Sequence, residues 1–383
     1  MWKSSPAFVT FVSVMQRLKH YTIPIFTPEM ACPFQCVFCN QQKISGHTQS
    51  PDFQEVTNTI RTYLASFKAG EKHVEVGFFG GTFTGIPTDI QKNYLKTVQP
   101  FLDTGEVQGI RLSTRPDYIW GEILARLKRY RVSTIELGAQ SLDNTVLRAA
   151  RRGHTAQQVE EAAALIHAAG FSLGLQMMIG LPNDTLEKAM ATAQKIIDLG
   201  ASNTRIYPAL VIKETVLYRW FQQGKYKPLS LKEAVSWSKQ LLLKFEDAGV
   251  RVIRLGLHPS EGLLDGSEWV AGPFHPSFRE LVLTEIWHDL LSPLVGTSRC
   301  LHQIQKNTLA QADACARGRE KEKNGMAQAD ACAMIEIEVP SKEMNYAVGY
   351  GGKNKKMLLE HFREVKFTPD PHLYARNFKV KED

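Results

Sequence analysis

Three cysteines, Cys32, Cys36 and Cys39, fall within eight residues of a 383-residue chain that holds only six cysteines in all. Thiols at spacings of four and three can converge from one loop onto one inorganic centre. A closed tetrahedral zinc site needs a fourth protein ligand, and His47 is the one nearby candidate. An iron–sulfur cluster can instead take three thiolates and leave one iron open as a reaction site. The remaining cysteines, Cys300, Cys315 and Cys332, lie far downstream. The last two belong to a word, AQADACA, that occurs at 310–316 and again at 327–333, so their spacing of 17 residues reflects duplication. This usage is not that of a secreted disulfide framework.

The elements that must position these thiols are legible as a repeated unit. Short apolar, β-branched runs at 21–26, 73–79, 109–113, 133–137, 171–178, 204–207 and 250–254 predict strands. Amphipathic stretches at 53–67, 119–130, 156–169 and 185–199 predict helices between them, with Gly170 and Gly200 as C-terminal stops. Strand and helix in alternation imply an α/β fold, a partial or complete parallel βα (TIM-like) barrel, in which functional groups gather at the C-terminal ends of strands. The cysteine loop follows the first strand. Gly80-Gly81-Thr82-Phe83 follows the second, Glu136-Leu137-Gly138-Ala139-Gln140-Ser141 ends the fourth, and Arg148 and Arg151-Arg152-Gly153-His154-Thr155 come after it.

With Phe38 just before its last cysteine, the C-x-x-x-C-x-x-C loop resembles the signature of the radical S-adenosylmethionine (SAM) superfamily. That resemblance implies a 4Fe-4S cluster on Cys32, Cys36 and Cys39, whose fourth iron chelates the amino and carboxylate groups of SAM. It further implies a flavodoxin- or ferredoxin-type electron donor and reductive cleavage to a 5′-deoxyadenosyl radical. Gly80, Gly81, Thr82 and Phe83 resemble the family's glycine pair beside the methionyl amino group, where a Cβ would block close approach. By the same resemblance Phe38 borders the cofactor, Gln140 and Arg152 contact the ribose or carboxylate of SAM, and Gln176 takes another strand-end contact, where the coproporphyrinogen oxidase branch carries an acidic residue.

Longer words are similar to the Elongator catalytic-subunit branch: Thr114-Arg115-Pro116-Asp117-Tyr118, Arg152-Gly153-His154-Thr155, and 206–213 followed by Leu217-Tyr218 and Gly224-Lys225-Tyr226. The likeness spans roughly 22–258 and implies modification of wobble uridine in tRNA. Two features depart from that branch: the compact spacing of the first two cysteines, and the lack of a recognisable acetyl-CoA-binding domain after the barrel. A radical SAM enzyme on a small molecule such as a porphyrinogen, and a zinc-stabilised RNA-binding protein without catalysis, stay open as alternatives.

The chain divides into an N-terminal extension (1–19), the barrel (20–262), a connecting helical and linker segment (263–333) and a small α+β module (334–383). In that module a strand at 335–339, a short helix, Gly349-Tyr350-Gly351-Gly352, a helix bearing Lys353, Lys355 and Lys356, and a strand near 365–367 follow a KH-like RNA-binding order. Glycines there would let the backbone lie against phosphates, with the lysines supplying positive potential. The module as a whole is not basic, having nine Lys and Arg against eight Asp and Glu. A net charge of +7 suits a polyanionic partner such as tRNA or another RNA. With 43% hydrophobic and 22% charged residues, the composition excludes wholesale disorder. Residues 7–15 are too short and lack the cleavage site of an export signal, and no apolar run reaches the roughly 20 residues that span a bilayer. A soluble, cytoplasmic protein with no membrane partner is expected.

Overall fold

The computed structural model describes residues 19–27, 36–40, 43, 49–257, 260–297 and 332–382. It contains two compact units, Met1–Pro276 and Ser277–Asp383.

The first unit is built on seven parallel strands: β1 (Lys19–Phe26), β2 (Lys72–Phe79), β3 (Gly109–Thr114), β4 (Val132–Gln140), β5 (Ser172–Ile179), β6 (Asn203–Pro208) and, after a two-residue strand β7 (Val211–Ile212), β8 (Arg251–Leu255). Their spatial order is β1-β2-β3-β4-β5-β6-β8. β1 and β8 are the two edges, so the barrel is partial. β7 pairs antiparallel with β9 (Trp269–Ala271). Apolar side chains fill the layer between sheet and helices: Val76, Phe78, Ile110, Leu112, Ile135 and Leu137 are fully buried.

Helices cover the sheet at the four predicted stretches and also at Thr88–Asp103 and Leu231–Asp247, for which no helix was predicted, and their ends have local causes. Phe53–Ser66 starts from a capping box between Asp52 and Glu55, Ala156–Ala168 from one between Thr155 and Gln158, and Leu231–Asp247 from one between Ser230 and Glu233. Leu186–Asp198 is capped by the Thr185 side chain. Strand β4 runs three residues beyond its apolar run, because a bulge between Gly138 and Gln140 carries the chain onward beside β5. Register then sets Gly138 beside Gln176, and Gln176 beside Arg205.

The second unit holds a three-stranded sheet in the order β11-β10-β12, from β10 (Cys332–Pro340), β11 (Phe362–Asp370) and β12 (Lys379–Glu382). Between β10 and β11 come a short helix, Met344–Val348, a turn at Tyr350–Gly352 and the helix Lys353–Leu359, the element order expected from the sequence. A long helix, Phe278–Thr297, lies within the segment expected to be helical and connecting. Its Trp287 and Leu291 are buried together with Ile335, Ile337, Val339 and Leu358, so it belongs to this unit's core. The N-terminal extension other than Lys19, and the duplicated words other than residues 332 and 333, lie outside the described residues.

Candidate active site

The site is assembled at the C-terminal end of the parallel sheet. Of the three thiols, Cys36 is buried and Cys39 half-buried, while Cys32 and His47 lie outside the described residues. Cys36 and Cys39 share a turn closed by Cys39 N donating to Cys36 O at 3.1 Å. The main chain between them is clamped from two sides: Val37 N donates to Ala150 O at 3.1 Å, and Leu217 N donates to Val37 O at 2.7 Å. Phe38 is buried among Val146, Ala150, Met178, Leu217 and Tyr226, an anchor whose burial contributes about 2 kcal/mol. A loop that carries two thiols is thereby held by main chain and side chains remote from it in sequence.

Arg152 reaches this turn from the other side. Its Nη1 donates to Cys36 Sγ at 3.2 Å and its Nη2 to Gly138 O at 2.7 Å, and its Nε has no partner among the described residues. Arg115 holds the backbone of Arg152: its Nη2 donates to Arg152 O at 2.7 Å, and Asp117 pairs with it through both carboxylate oxygens at 2.9 and 3.0 Å. Beside them His154 Nε2 lies 3.2 Å from Ala139 O. Burial, reinforced by the Arg152 and Arg115 charges, lowers the His154 pKa from 6.5 to about 3, so this imidazole is neutral at physiological pH.

Gly80 follows β2 at φ +102°, a backbone region closed to most L-residues, so glycine is required there by conformation. Gly81 is half-buried and Thr82 buried. The Phe83 side chain packs on Phe78 with ring centroids 4.9 Å apart, so its ring serves the core while its backbone follows the glycine pair. Gln140 has φ +65°, and its Oε1 accepts a hydrogen bond from Gln176 Nε2 at 3.1 Å. The structure thus brings Gln140 and Gln176 together, and Arg152 together with Cys36.

Sequence reading missed a ladder of buried charges across the sheet. Glu75 on β2 pairs with Arg111 on β3 at 2.8 Å, Arg111 pairs with Glu136 on β4 at 2.7 Å, and Glu136 pairs with Arg205 on β6 at 2.6 Å. Arg205 Nη1 also reaches Tyr207 Oη at 3.5 Å, and its guanidinium lies over the Phe79 ring, 4.8 Å from the centroid. Burial pushes the Glu136 pKa up, but Arg205 and Arg111 outweigh it and hold the carboxyl below the ordinary value of 4.5. The signal was present as one charged residue inside each of four apolar strand words. Such interruptions fit the inward face of an open barrel better than a sheet covered on both faces.

In the second unit, Gly349, Gly351 and Gly352 have φ of +88°, +61° and +74°. The turn they form is fastened to the long helix, with Tyr350 N donating to Thr284 Oγ1 at 2.9 Å and Asn354 Nδ2 to Thr284 O at 3.1 Å. Nothing comes within 4 Å of a Cβ built on Gly351, and Tyr350 is 49% exposed. Lys353 is taken up by an ion pair with Glu285. On the sheet, Lys366, Lys379 and Lys381 pair with Glu336, Asp370 and Glu338. Lys355 and Lys356 are exposed close behind the turn.

Sequence comparison places these features. The Radical SAM superfamily profile matches residues 30–196, and the Radical_SAM C-terminal domain matches 202–288. The chain belongs to the radical SAM superfamily, whose enzymes use a 4Fe-4S cluster and SAM. Within it, the chain is similar to the tRNA uridine(34) acetyltransferase of Methanocaldococcus jannaschii, at 27% identity over 64% of this chain and 52% of that protein. It is also similar to Elongator complex protein 3 of Saccharomyces cerevisiae, at 30% identity over 44% of this chain and 34% of that protein. The solved archaeal Methanocaldococcus infernus Elp3 shares the fold, with a TM-score of 0.56 and 20% identity over 69% of this chain and 62% of that one. The chain spans about half the length of the first three curated relatives.

The residues present fit such a cofactor pair. Cys36 and Cys39 are soft ligands on a clamped turn, Arg152 offers a cation to a sulfur or a carboxylate, and Gly80 carries no side chain at the neighbouring strand end. Among the described residues no helix is long and apolar enough to cross a membrane.

Proposed function

We propose that Cys32, Cys36 and Cys39 hold the 4Fe-4S cluster, that SAM lies across Gly80–Phe83, Gln140, Arg152 and Gln176, and that the substrate is RNA, specifically tRNA. The observation that carries the cofactor reading is the convergence of the clamped Cys36–Cys39 turn with Arg152 and the Gln140–Gln176 pair at the ends of successive strands. Held by these cysteines, a cluster would supply the one-electron reduction by which this superfamily cleaves SAM.

The chain's own residues do the rest. Phe38 fixes the thiol turn, Arg152 meets negative charge, and Gly80 admits the methionyl end of SAM where a side chain would exclude it. Gln140 and Gln176, joined by one hydrogen bond, keep three N–H donors and the Gln176 carbonyl oxygen for the ribose. The need for a low-potential electron supports a flavodoxin- or ferredoxin-type donor and a reducing cytoplasmic setting. The tRNA reading is supported by the likeness to proteins named for action on tRNA uridine, by the +7 net charge, and by the exposed tip, Tyr350 and Gly351, of the glycine turn with Lys355 and Lys356 behind it.

Two measurements test this. Anaerobic protein should contain iron and sulfide in equal amounts and release 5′-deoxyadenosine when reduced with SAM. One equivalent of zinc without sulfide would instead establish the zinc-stabilised alternative. Nucleosides from total tRNA of cells with and without the gene should differ in one modified uridine. Unchanged tRNA nucleosides would direct the chemistry to a small molecule.

A further inference from the structure

We propose that Arg152 sets the reduction potential of the cluster through its hydrogen bond to Cys36, and that the Asp117–Arg115 pair is the positioning device that keeps it there. The inference rests on the reading that Cys36 is a cluster ligand.

Arg152 is 6% exposed and aimed from both ends. Its backbone N donates to Leu147 O at 3.0 Å, its backbone O accepts from Arg115, and its guanidinium spans Gly138 O and Cys36 Sγ. Arg115 is 3% exposed, and the Asp117 carboxylate offsets its charge. His154 beside them is neutral. Arg152 is therefore a buried positive charge with no carboxylate partner among the described residues, and it lies 3.2 Å from the sulfur of Cys36. Adding an electron makes a cluster more negative, and a fixed cation in a poorly polarisable site favours that state. An N–H donated to a ligand sulfur draws charge off it and acts in the same direction. The word Thr114-Arg115-Pro116-Asp117-Tyr118 thereby acquires a role: it orients the cation, acting through Arg152.

The role differs from contact with SAM, because it exists before SAM binds. The test is a potentiometric titration of anaerobically reconstituted protein, followed by the EPR signal of the reduced cluster, with no SAM present. Arg152→Gln should move the midpoint to more negative potential, about tenfold in the reduction equilibrium or about 59 mV for one electron. Arg152→Lys, which keeps the charge, should shift it less. Arg115→Met should shift it in the same direction with iron content unchanged. If Arg152→Gln does not retain the cluster, the Lys and Arg115 variants carry the measurement. An unmoved midpoint in variants with full iron, alongside lost SAM affinity, would overturn the proposal and leave Arg152 a SAM contact alone. Failure of the underlying reading would look different, since wild-type protein would then show no reducible cluster.

Discussion

Glu136 on β4 and Arg205 on β6 meet through both carboxylate oxygens, at 2.6 and 3.1 Å, although β5 runs between their strands. The same carboxylate accepts from Arg111, and Arg111 in turn holds Glu75, so charge alternates across the inward face and sums to zero. A buried set of this kind is costly to interrupt and much less costly to remove in matched pairs.

Glu136→Gln should accordingly destabilise the fold by about 3–5 kcal/mol, because two guanidinium groups lose their shared anion. Glu136→Leu combined with Arg205→Met should recover most of that loss, since Arg111 still has Glu75. Urea unfolding of the single and double variants measures both. The sign of the pH dependence follows from a folded pKa held below 4.5: this stabilisation is complete above that value and is lost as pH falls through the folded pKa. A double variant as unstable as the single one would show that the ladder is needed for packing rather than for charge balance.

His154 makes a separate prediction at milder pH. Its folded pKa of about 3 lies below the ordinary 6.5, so between these values the unfolded chain binds a proton that the folded chain does not. Stability should fall by about 1.4 kcal/mol for each pH unit below 6.5 from this group alone. Because other histidines titrate in the same window, the quantity to compare is the slope of wild type against that of His154→Gln. Equal slopes would mean that His154 is protonated in the folded state.

Phe38 should govern cluster retention without touching iron. Phe38→Ala removes the buried ring that pins the thiol turn, at a cost of about 3–5 kcal/mol, and iron per chain after anaerobic reconstitution should drop. Phe38→Leu, which refills most of the space, should retain iron. Equal iron in all three proteins would show that the main-chain clamps at Ala150 and Leu217 suffice.

How much could be read before the structure depended on the range of the cause. The seven barrel strands and the helices at 53–66, 156–168 and 186–198 were legible because apolar period, caps and stops are local. The helix Phe278–Thr297 was legible only as part of a connecting helical segment: it is apolar around most of its circumference and follows a Gly- and Pro-rich stretch, so no amphipathic period marked its bounds or its place in a core. The site divides in the same way. The thiol loop and the glycine pair are contiguous words, whereas the Arg152 contact with Cys36 joins residues 116 positions apart and exists only once four strands are in register. The charge ladder was visible as four odd residues, but their pairing is a property of the sheet.

The last prediction concerns the turn Gly349–Gly352. Lys366, Lys379 and Lys381 are engaged on the sheet and Lys353 with Glu285, so the cations beside the turn with exposed side chains are Lys355 and Lys356. Phosphate contact should therefore be confined to the turn and this helix, and few phosphates should be neutralised. Replacing Gly351 and Gly352 by Asp sets two negative charges where a phosphate would lie, and tRNA affinity should fall at least tenfold, while SAM cleavage without RNA persists. Both positions have positive φ, so the matched control is Gly351→Asn with Gly352→Asn, which imposes a similar backbone demand without charge. A drop in the Asp pair but not in the Asn pair isolates electrostatics from strain. Removing Lys355 and Lys356 together should flatten the dependence of log K on log salt by about two phosphate equivalents at most. Equal affinity in the wild type, the Asp pair and the lysine variant would place RNA binding elsewhere on the chain.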